Sequence, residues 1–396
     1  MMDFELARRR ILEYAARLDV ERAAIDEAWG RVLAEDVIAE LDLPPFDYSA
    51  MDGYAVRCAD LEEPKPYRLP VSIELCAGDV RRVLPPQSAA RIFTGAPLPL
   101  GADAVVMQEQ TTRDGDFVEL SGLPRPGDHV RRSGEDMKRG VTALSNGMRL
   151  NPFRIGLAAA LDRATLQVAA APRVSFISTG AELRAPGAPA RPGSIPDSNT
   201  PSLAAMARSA GASIVSRARV GDDLHETRAA VRQALERSHV LVSVGGVSVG
   251  EHDVVKDALE AEGVRLEFWK VKIRPGKPFV FGRRGSVLVL GLPGNPVSSQ
   301  ITFALFGLPL LRALQGERDP LPPLWRVKLA HAFHQKPGRL GFYRARLRGD
   351  LAELDANQAS GAPTSMASAD ALVLVPAECE ELPAGAELDA YRLAEL

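Results

Sequence analysis

Cysteine is scarce in this 396-residue chain: Cys58, Cys76 and Cys379 are far apart and odd in number. No Cys-x-x-Cys pair and no Cys/His zinc spacing occurs, which argues against a disulfide framework and a structural zinc and for a reducing compartment. Charge of one sign is lacking too. The formal net charge of −3 gives no electrostatic hold on nucleic acid or on an anionic membrane. No run approaches the roughly 20 apolar residues that a spanning helix needs, and the N-terminal MMDFELARRRILEYAARLDV has no apolar signal core. The six histidines form neither His-Glu-x-x-His nor His-x-His, and no P-loop or Ser-His-Asp arrangement is present. A cytoplasmic protein that touches neither nucleic acid nor membrane is expected.

What is present is ordinary globular material, 46% apolar and 25% charged, in a chain long enough for several domains. Residues 3–18 read as an amphipathic helix with Phe4, Ile11, Leu12 and Ala15 on one face, and a second apolar periodicity covers 21–35. The texture then changes to short alternating runs among many prolines, the pattern of an inserted β module over 44–137. Helical character returns near 151–161, so 1–43 and 138–170 read as one interrupted helical domain. From 171 to 316 strands alternate with helices: RVSFIST, a helix opened by Ser198-Asn199-Thr200-Pro201, ASIVSRARV, a helix over 223–237, HVLVSV and a helix over 252–262. LEFWKVKI, PFVFG, VLVLGL and a helix near 297–314 complete it. That alternation indicates an open α/β sheet, which binds ligands beyond the carboxyl ends of its strands. Residues 317–396 are again strand-like.

Four loops fall on that edge: Ser178 to Glu182, Gly221-Asp222-Asp223, Gly245 to Asp253, and Leu292 to Ser298. In the third, an apolar strand ends in Gly245-Gly246-Val247-Ser248-Val249-Gly250, with Glu251 and Asp253 leading into a helix. A strand, glycine turn and helix start present backbone N–H groups to an anion. Taken singly, Asp222 and Asp223 are equally helix-start residues and Glu182 a solvated turn residue. Together, carboxylates beside phosphate-cradling amides imply Mg²⁺, which uses few protein ligands. Arg274-Pro275-Gly276-Lys277 sets two cations across a turn, suited to an oxyanion or simply to solvent. In the β module, Asp52-Gly53 reads as an Asp-Gly turn.

Read together, FDYSAMDGYAV, RIFTGAPLPLGADAVVMQE, SGEDMKRG, STGAEL, PDSNTPSL, GGVSVGEHD, RPGKPFVFG, GLPGNPVSS and SGAPTSMASAD resemble the molybdopterin molybdenumtransferase family, that of MoeA and the gephyrin E domain. The strings run in order over nearly the whole chain. The resemblance implies an interrupted helical domain, the inserted β module, a MogA-like α/β active-site domain and a C-terminal β-barrel over 317–396, in a homodimer with active sites between protomers. It makes Asp222, Asp253 and Glu182 the Mg²⁺ and phosphate-handling carboxylates. Gly245, Gly246, Ser248, Arg274, Lys277, Pro293, Pro296 and Ser298 match positions that receive the substrates. Arg344 and Ser365 would close the pocket from the last domain, and Asp52 and Thr94 would reach the partner protomer's pocket. Two departures stand out: Arg274 replaces the usual first lysine of Lys-Pro-Gly-Lys, and Ala369-Asp370-Ala371 replaces Ala-Asn-Gly. Arginine keeps the charge but not the compact ammonium geometry.

The expected activity is insertion of molybdenum from molybdate into adenylylated molybdopterin, with Mg²⁺-dependent release of AMP. Asp52, Asp222 and Asp253 are the expected catalytic residues, and transient contact with other proteins of molybdenum cofactor synthesis is expected. The rival reading is a molybdopterin adenylyltransferase that uses ATP.

Overall fold

The computed structural model describes residues 1–61, 67–246 and 254–396. The chain divides into two compact units: Met1–Glu35 with Asn146–Pro152 and Thr165–Leu396, and Asp36–Ser145 with Phe153–Ala164.

Runs of aliphatic and β-branched residues between turn signals form the central sheet of the first unit. Its strands are β1 (Arg173–Thr179), β2 (Ser213–Val220), β3 (Val240–Val244), β4 (Arg265–Trp269), β5 (Val280–Arg284) and β6 (Val287–Leu292). Their spatial order is β2-β1-β3-β6-β5-β4. The first four are parallel, and β5 and β4 extend the sheet antiparallel. β3 is buried at every position, as a strand covered on both faces must be. One face packs Val174, Phe176 and Val242 against Leu203 and Ala207 of the helix Asn199–Ser209 and against the helix Pro296–Leu314. The other packs Ile177, Leu241 and Val289 against Val231 and Leu235 of the helix Leu224–Arg237 and Val255 and Leu259 of the helix Val254–Ala261. Thr179, Val220, Val244 and Leu292, the carboxyl ends of the parallel strands, therefore share one edge.

Pro296–Leu314 corrects one expectation. Its 19 residues are long and apolar enough to cross a membrane, yet 83% of the most apolar stretch is buried inside the protein. In the sequence the run is broken by Ser298, Ser299 and Thr302. In the fold Thr302 Oγ1 donates to Ser298 O at 2.7 Å and Ser299 Oγ to Pro296 O at 2.8 Å. The hydroxyls of Ser299 and Thr302 are thus satisfied within the helix, which behaves as a core helix.

The first helix is Phe4–Glu13, capped by Asp3, whose carboxylate accepts from Glu5 N at 3.0 Å. Phe4 meets Phe306 and Phe342 edge-on, with centroids 5.5 and 5.2 Å away, so this helix belongs to the core of the first unit. The periodicity over 21–35 does not make a second helix. Val20–Ala24 is a strand paired antiparallel with Thr165–Ala169, followed by the 3₁₀ turn Ile25–Glu27. Cross-strand burial, Ala23 opposite Leu166, meets the apolar spacing that a helical face was expected to meet.

Five C-terminal strands, Trp325–Leu329, Leu340–Arg348, Leu351–Leu354, Ala371–Val375 and Glu387–Arg392, close into a barrel because Leu340–Arg348 pairs on both sides. Asp370, left without a role by its departure from the family string, accepts Leu347 N at 2.9 Å. The second unit holds a six-stranded sheet in the order Ala104–Met107, Gly53–Val56, Ala89–Ile92, Tyr67–Leu75, Phe117–Leu120, Thr111–Asp114, as proline-punctuated short runs predict. The helix Pro152–Ala160 belongs to this unit except for its first residue.

Candidate active site

The loops beyond β1, β2, β3 and β6 line one cavity of about 520 Å³, with Thr179, Gly180, Glu182, Asp222, Gly245, Gly246 and Pro293 to Pro296 in its wall. Local chemistry explains the division of labour at Asp222-Asp223. Asp223 accepts Glu226 N at 2.7 Å and caps the helix, which leaves the exposed Asp222 to the cavity. Gly245 and Gly246 adopt φ of +88° and +60°. A Cβ at Gly245 would stand 2.8 Å from Thr179 O, and one at Gly246 would stand 2.4 Å from Val255 Cγ2. Only glycine fits this strand exit.

Two polar residues organise the rim: Asn199, which the sequence offered as a helix-start residue, and Asp197, which it did not single out. Asn199, 7% exposed, donates from Nδ2 to Gly294 O at 2.7 Å and accepts Ser299 Oγ at 3.0 Å, which ties the Pro-Gly-Asn-Pro loop to the helix Asn199–Ser209. Asp197, buried behind it, accepts Thr200 N at 3.1 Å and Ser178 Oγ at 3.0 Å. Both lie in the PDSNTPSL string, but spacing alone did not separate a loop clamp from a cap.

A second cavity of about 350 Å³ shares Pro278, Pro293 and Asn295 with the first. Arg274, Lys277 and Arg339 line it with Ser298, Tyr343, Gln358 and Ser360. Gly276, at φ +109°, leaves no room for a Cβ, which would meet Thr302 Cγ2 at 2.4 Å; the basic turn thus lies directly on the core helix. The described walls differ in charge: two carboxylates and no cation in the first cavity, three cations and no carboxylate in the second. The barrel closes the cationic side through Ser360, whose carbonyl accepts Val297 N at 3.1 Å and whose hydroxyl accepts Asn295 Nδ2 at 3.0 Å.

Arg344 and Ser365 sit differently from the expectation that they close the pocket directly. Arg344 is fully buried and donates from Nη2 to Asn357 O at 2.8 Å and Ala359 O at 3.2 Å. Burial pushes its guanidinium pKa down, with Asp355 opposing. It holds the 357–360 segment from behind and is not in the cavity wall. Ser365 is buried and donates to Ala362 O at 2.8 Å; it lines neither cavity. Ser248 and Asp253 lie outside the described residues.

In the second unit Asp52 and Thr94 meet. One carboxylate oxygen of Asp52 accepts both Thr94 N and Thr94 Oγ1 at 2.8 Å, which holds the Asp52 pKa below its ordinary value. The Asp-Gly turn reading of Gly53 gives way to a closer constraint. Gly53 is in a strand, and a Cβ there would stand 1.9 Å from Val106 O.

Among the described residues no group of three His, Cys, Asp or Glu gathers as a metal site. The donor set nonetheless fits Mg²⁺. Glu182 folds back over Gly180, where a Cβ would stand 2.4 and 2.7 Å from its two oxygens, and it faces the same cavity as Asp222. Two hard oxygen donors on an open cavity suit an ion that keeps most of its waters.

An open α/β sheet whose carboxyl edge joins an acidic cavity to a cationic one has the form of an enzyme's small-molecule site. Residues 2–161 match the MoeA N-terminal region (domain I and II), 175–313 the "Probable molybdopterin binding domain", and 326–393 the MoeA C-terminal region (domain IV). Molybdopterin molybdenumtransferase 2 of Mycobacterium tuberculosis is 40% identical over 383 residues, 93% of this chain and 94% of that one. The molybdopterin molybdenumtransferase of Haemophilus influenzae is 37% identical over 348 residues, 87% and 85% of the two chains. The solved molybdopterin biosynthesis moeA protein of Pyrococcus horikoshii superposes with a TM-score of 0.86 at 27% identity, over 99% of this chain and 100% of that one. The chain belongs to the MoeA family of molybdopterin molybdenumtransferases.

Proposed function

We propose that the two joined cavities carry molybdenum insertion between them, the acidic one taking the phosphate linkage of adenylylated molybdopterin and the cationic one taking molybdate. The observation that supports this most is the charge division across the shared wall of Pro278, Pro293 and Asn295. Gly245 N donates to Leu292 O at 3.1 Å, which leaves Gly246 to offer its backbone N–H at a strand exit that admits no side chain. Arg274 and Lys277 neutralise a tetrahedral dianion, and Ser298 in the same wall can donate a hydroxyl. Glu182 and Asp222, with Asp253, would hold Mg²⁺, which supplies Lewis-acid polarisation of the linkage when bound. Positioning and charge neutralisation then account for most of the rate gain, and no protein nucleophile is required. Asp52 and Thr94 serve the partner protomer of a homodimer.

The test is to incubate the purified chain with adenylylated molybdopterin, molybdate and Mg²⁺ and to follow AMP and cofactor-bound molybdenum. Molybdate-dependent AMP release is expected, and Asp222→Ala is expected to fold normally while losing at least tenfold in rate, as removal of a charged ligand should. Pyrophosphate formed from ATP and molybdopterin, without AMP release from the adenylylated form, would establish the rival adenylyltransferase reading instead.

A further inference from the structure

The wall between the two cavities is built largely from one short loop, since Pro293 and Asn295 line both. The loop joins Leu292, the last residue of β6, to Pro296, the first of the core helix, and has no regular structure of its own. Its two ends are gripped from opposite sides. On the sheet side Gly245 N donates to Leu292 O, and a Cβ at Gly294 would stand 3.5 Å from Gly245 Cα. On the barrel side Ser360 accepts Val297 N and Asn295 Nδ2. Asn295 therefore starts the helix without a side-chain cap bond; its amide is engaged with the barrel. The carbonyl of Gly294, midway between these grips, is taken by Asn199 Nδ2 at 2.7 Å. That carbonyl can only accept, so the amide nitrogen must face it, and Ser299 Oγ holds the amide oxygen at 3.0 Å. The segment carrying Asn199 is fixed in turn, because the buried Asp197 accepts Thr200 N and also Ser178 Oγ, one residue before the end of β1. A chain of contacts thus runs from the central sheet through Asn199 and the loop to the barrel.

We propose that Asn199 is a positioning residue for molybdenum insertion: by holding Gly294 O it fixes the loop between the cavities, and so the register in which the two ligands meet. This rests on the reading that one cavity takes the phosphate linkage and the other the oxyanion. Asn199 lines the acidic cavity, but its amide is engaged at both ends, so it acts through the loop. Each ligand alone keeps the other walls of its own cavity, Thr179, Gly180, Glu182 and Asp222 for one and Arg274 and Lys277 for the other. Only the reaction needs both ligands in register across Pro293 and Asn295. Reacting groups displaced by about 1 Å lose on the order of a hundredfold in rate. Without Nδ2 the Gly294 carbonyl is left unpaired, and the loop moves to relieve it. The loss belongs to kcat and not to the affinity for either ligand.

Full-length wild type, Asn199→Ala and Asn199→Asp are to be assayed for AMP release from adenylylated molybdopterin. They are also titrated by calorimetry with molybdate alone and with AMP and Mg²⁺, with Asp222→Ala and Lys277→Ala as controls on the two cavities. Asn199→Ala is expected to lower kcat roughly tenfold or more, the scale of one buried acceptor left unpaired. Both affinities and both half-saturating concentrations should change less than about threefold, the signature of an interaction used in the reaction and not in binding. Asn199→Asp keeps the volume and the acceptor for Ser299, and its carboxyl donates to Gly294 O only when protonated. Its kcat relative to wild type should therefore fall as pH rises through the titration of the new carboxyl. Taking the ratio removes the ionisations that both proteins share, at Asp197, Glu182 and Asp222. Should Asn199→Ala melt early, this pH profile carries the test alone. If kcat is unchanged in both variants, or falls only together with both affinities as a loosened fold would give, the positioning role is overturned and the cavity reading stands. If Asp222→Ala leaves AMP release unchanged and Lys277→Ala leaves molybdate binding unchanged, the cavity reading falls and this role with it.

Discussion

Asp52 shows how much one carboxylate depends on what donates to it. Its oxygen takes both the amide and the hydroxyl of Thr94, and those donors, the amide first, lower its pKa. A depressed folded pKa means that the interaction contributes above the ordinary aspartate range and is lost as pH falls through the folded value. Thr94→Val, which removes the hydroxyl and keeps the amide, should move the Asp52 titration upward toward the ordinary range in carboxyl-detected NMR. A titration that does not move would mean the hydroxyl contributes nothing. Residue identities here were legible in FDYSAMDGYAV and RIFTGAP, but their reasons were not. Gly53 is required by a carbonyl more than 50 positions away, at Val106, and no local spacing encodes that. Arg344 likewise was assigned to the pocket by the resemblance, yet only the packed structure shows its guanidinium turned to backbone carbonyls behind the wall.

Among the elements, Pro296–Leu314 has the widest reach. Phe306 stacks on Phe279 at 4.5 Å and meets Phe4 edge-on at 5.5 Å, so one ring links the core helix, the segment leading into β5 and the N-terminal helix. Phe306→Ala should cost about 3–5 kcal/mol, read as a lowered midpoint in urea with little change in slope; a loss under about 1 kcal/mol would show that the ring's neighbours collapse to fill its space. The same helix begins at the loop where both cavities meet, so partial unfolding there should also be visible as loss of molybdate binding. Element by element, the α/β alternation was read well because each strand carries its own period and each helix its own start signal: Arg173–Thr179 and the helix after Asp223 coincide with expectation. The stretch 21–35 was misread because a short apolar run has no period of its own until a partner strand, here Thr165–Ala169, is in place.

For the molecule as a whole, the proposed homodimer makes a distinctive demand. If Asp52 serves the partner's site, Asp52→Ala and Asp222→Ala should each be inactive alone and should complement when co-expressed. Random pairing makes about half the dimers mixed, each with one whole site, so activity near about a quarter of wild type is expected. A mixture no more active than its parents would place both aspartates in one protomer's site.

Composition and ordered motifs were sufficient to indicate a multidomain α/β and β protein, the family it belongs to, and the edge of the sheet where carboxylates and glycines gather, because strand alternation, turn chemistry and short strings are local properties. Which carboxylate faces the cavity, which asparagine clamps the loop, why Arg344 is buried and how Arg339 arrives beside Arg274 were settled only by tertiary structure. Register, close approach and burial are relations between segments distant in the chain, and they exist only once the backbone has brought those segments together.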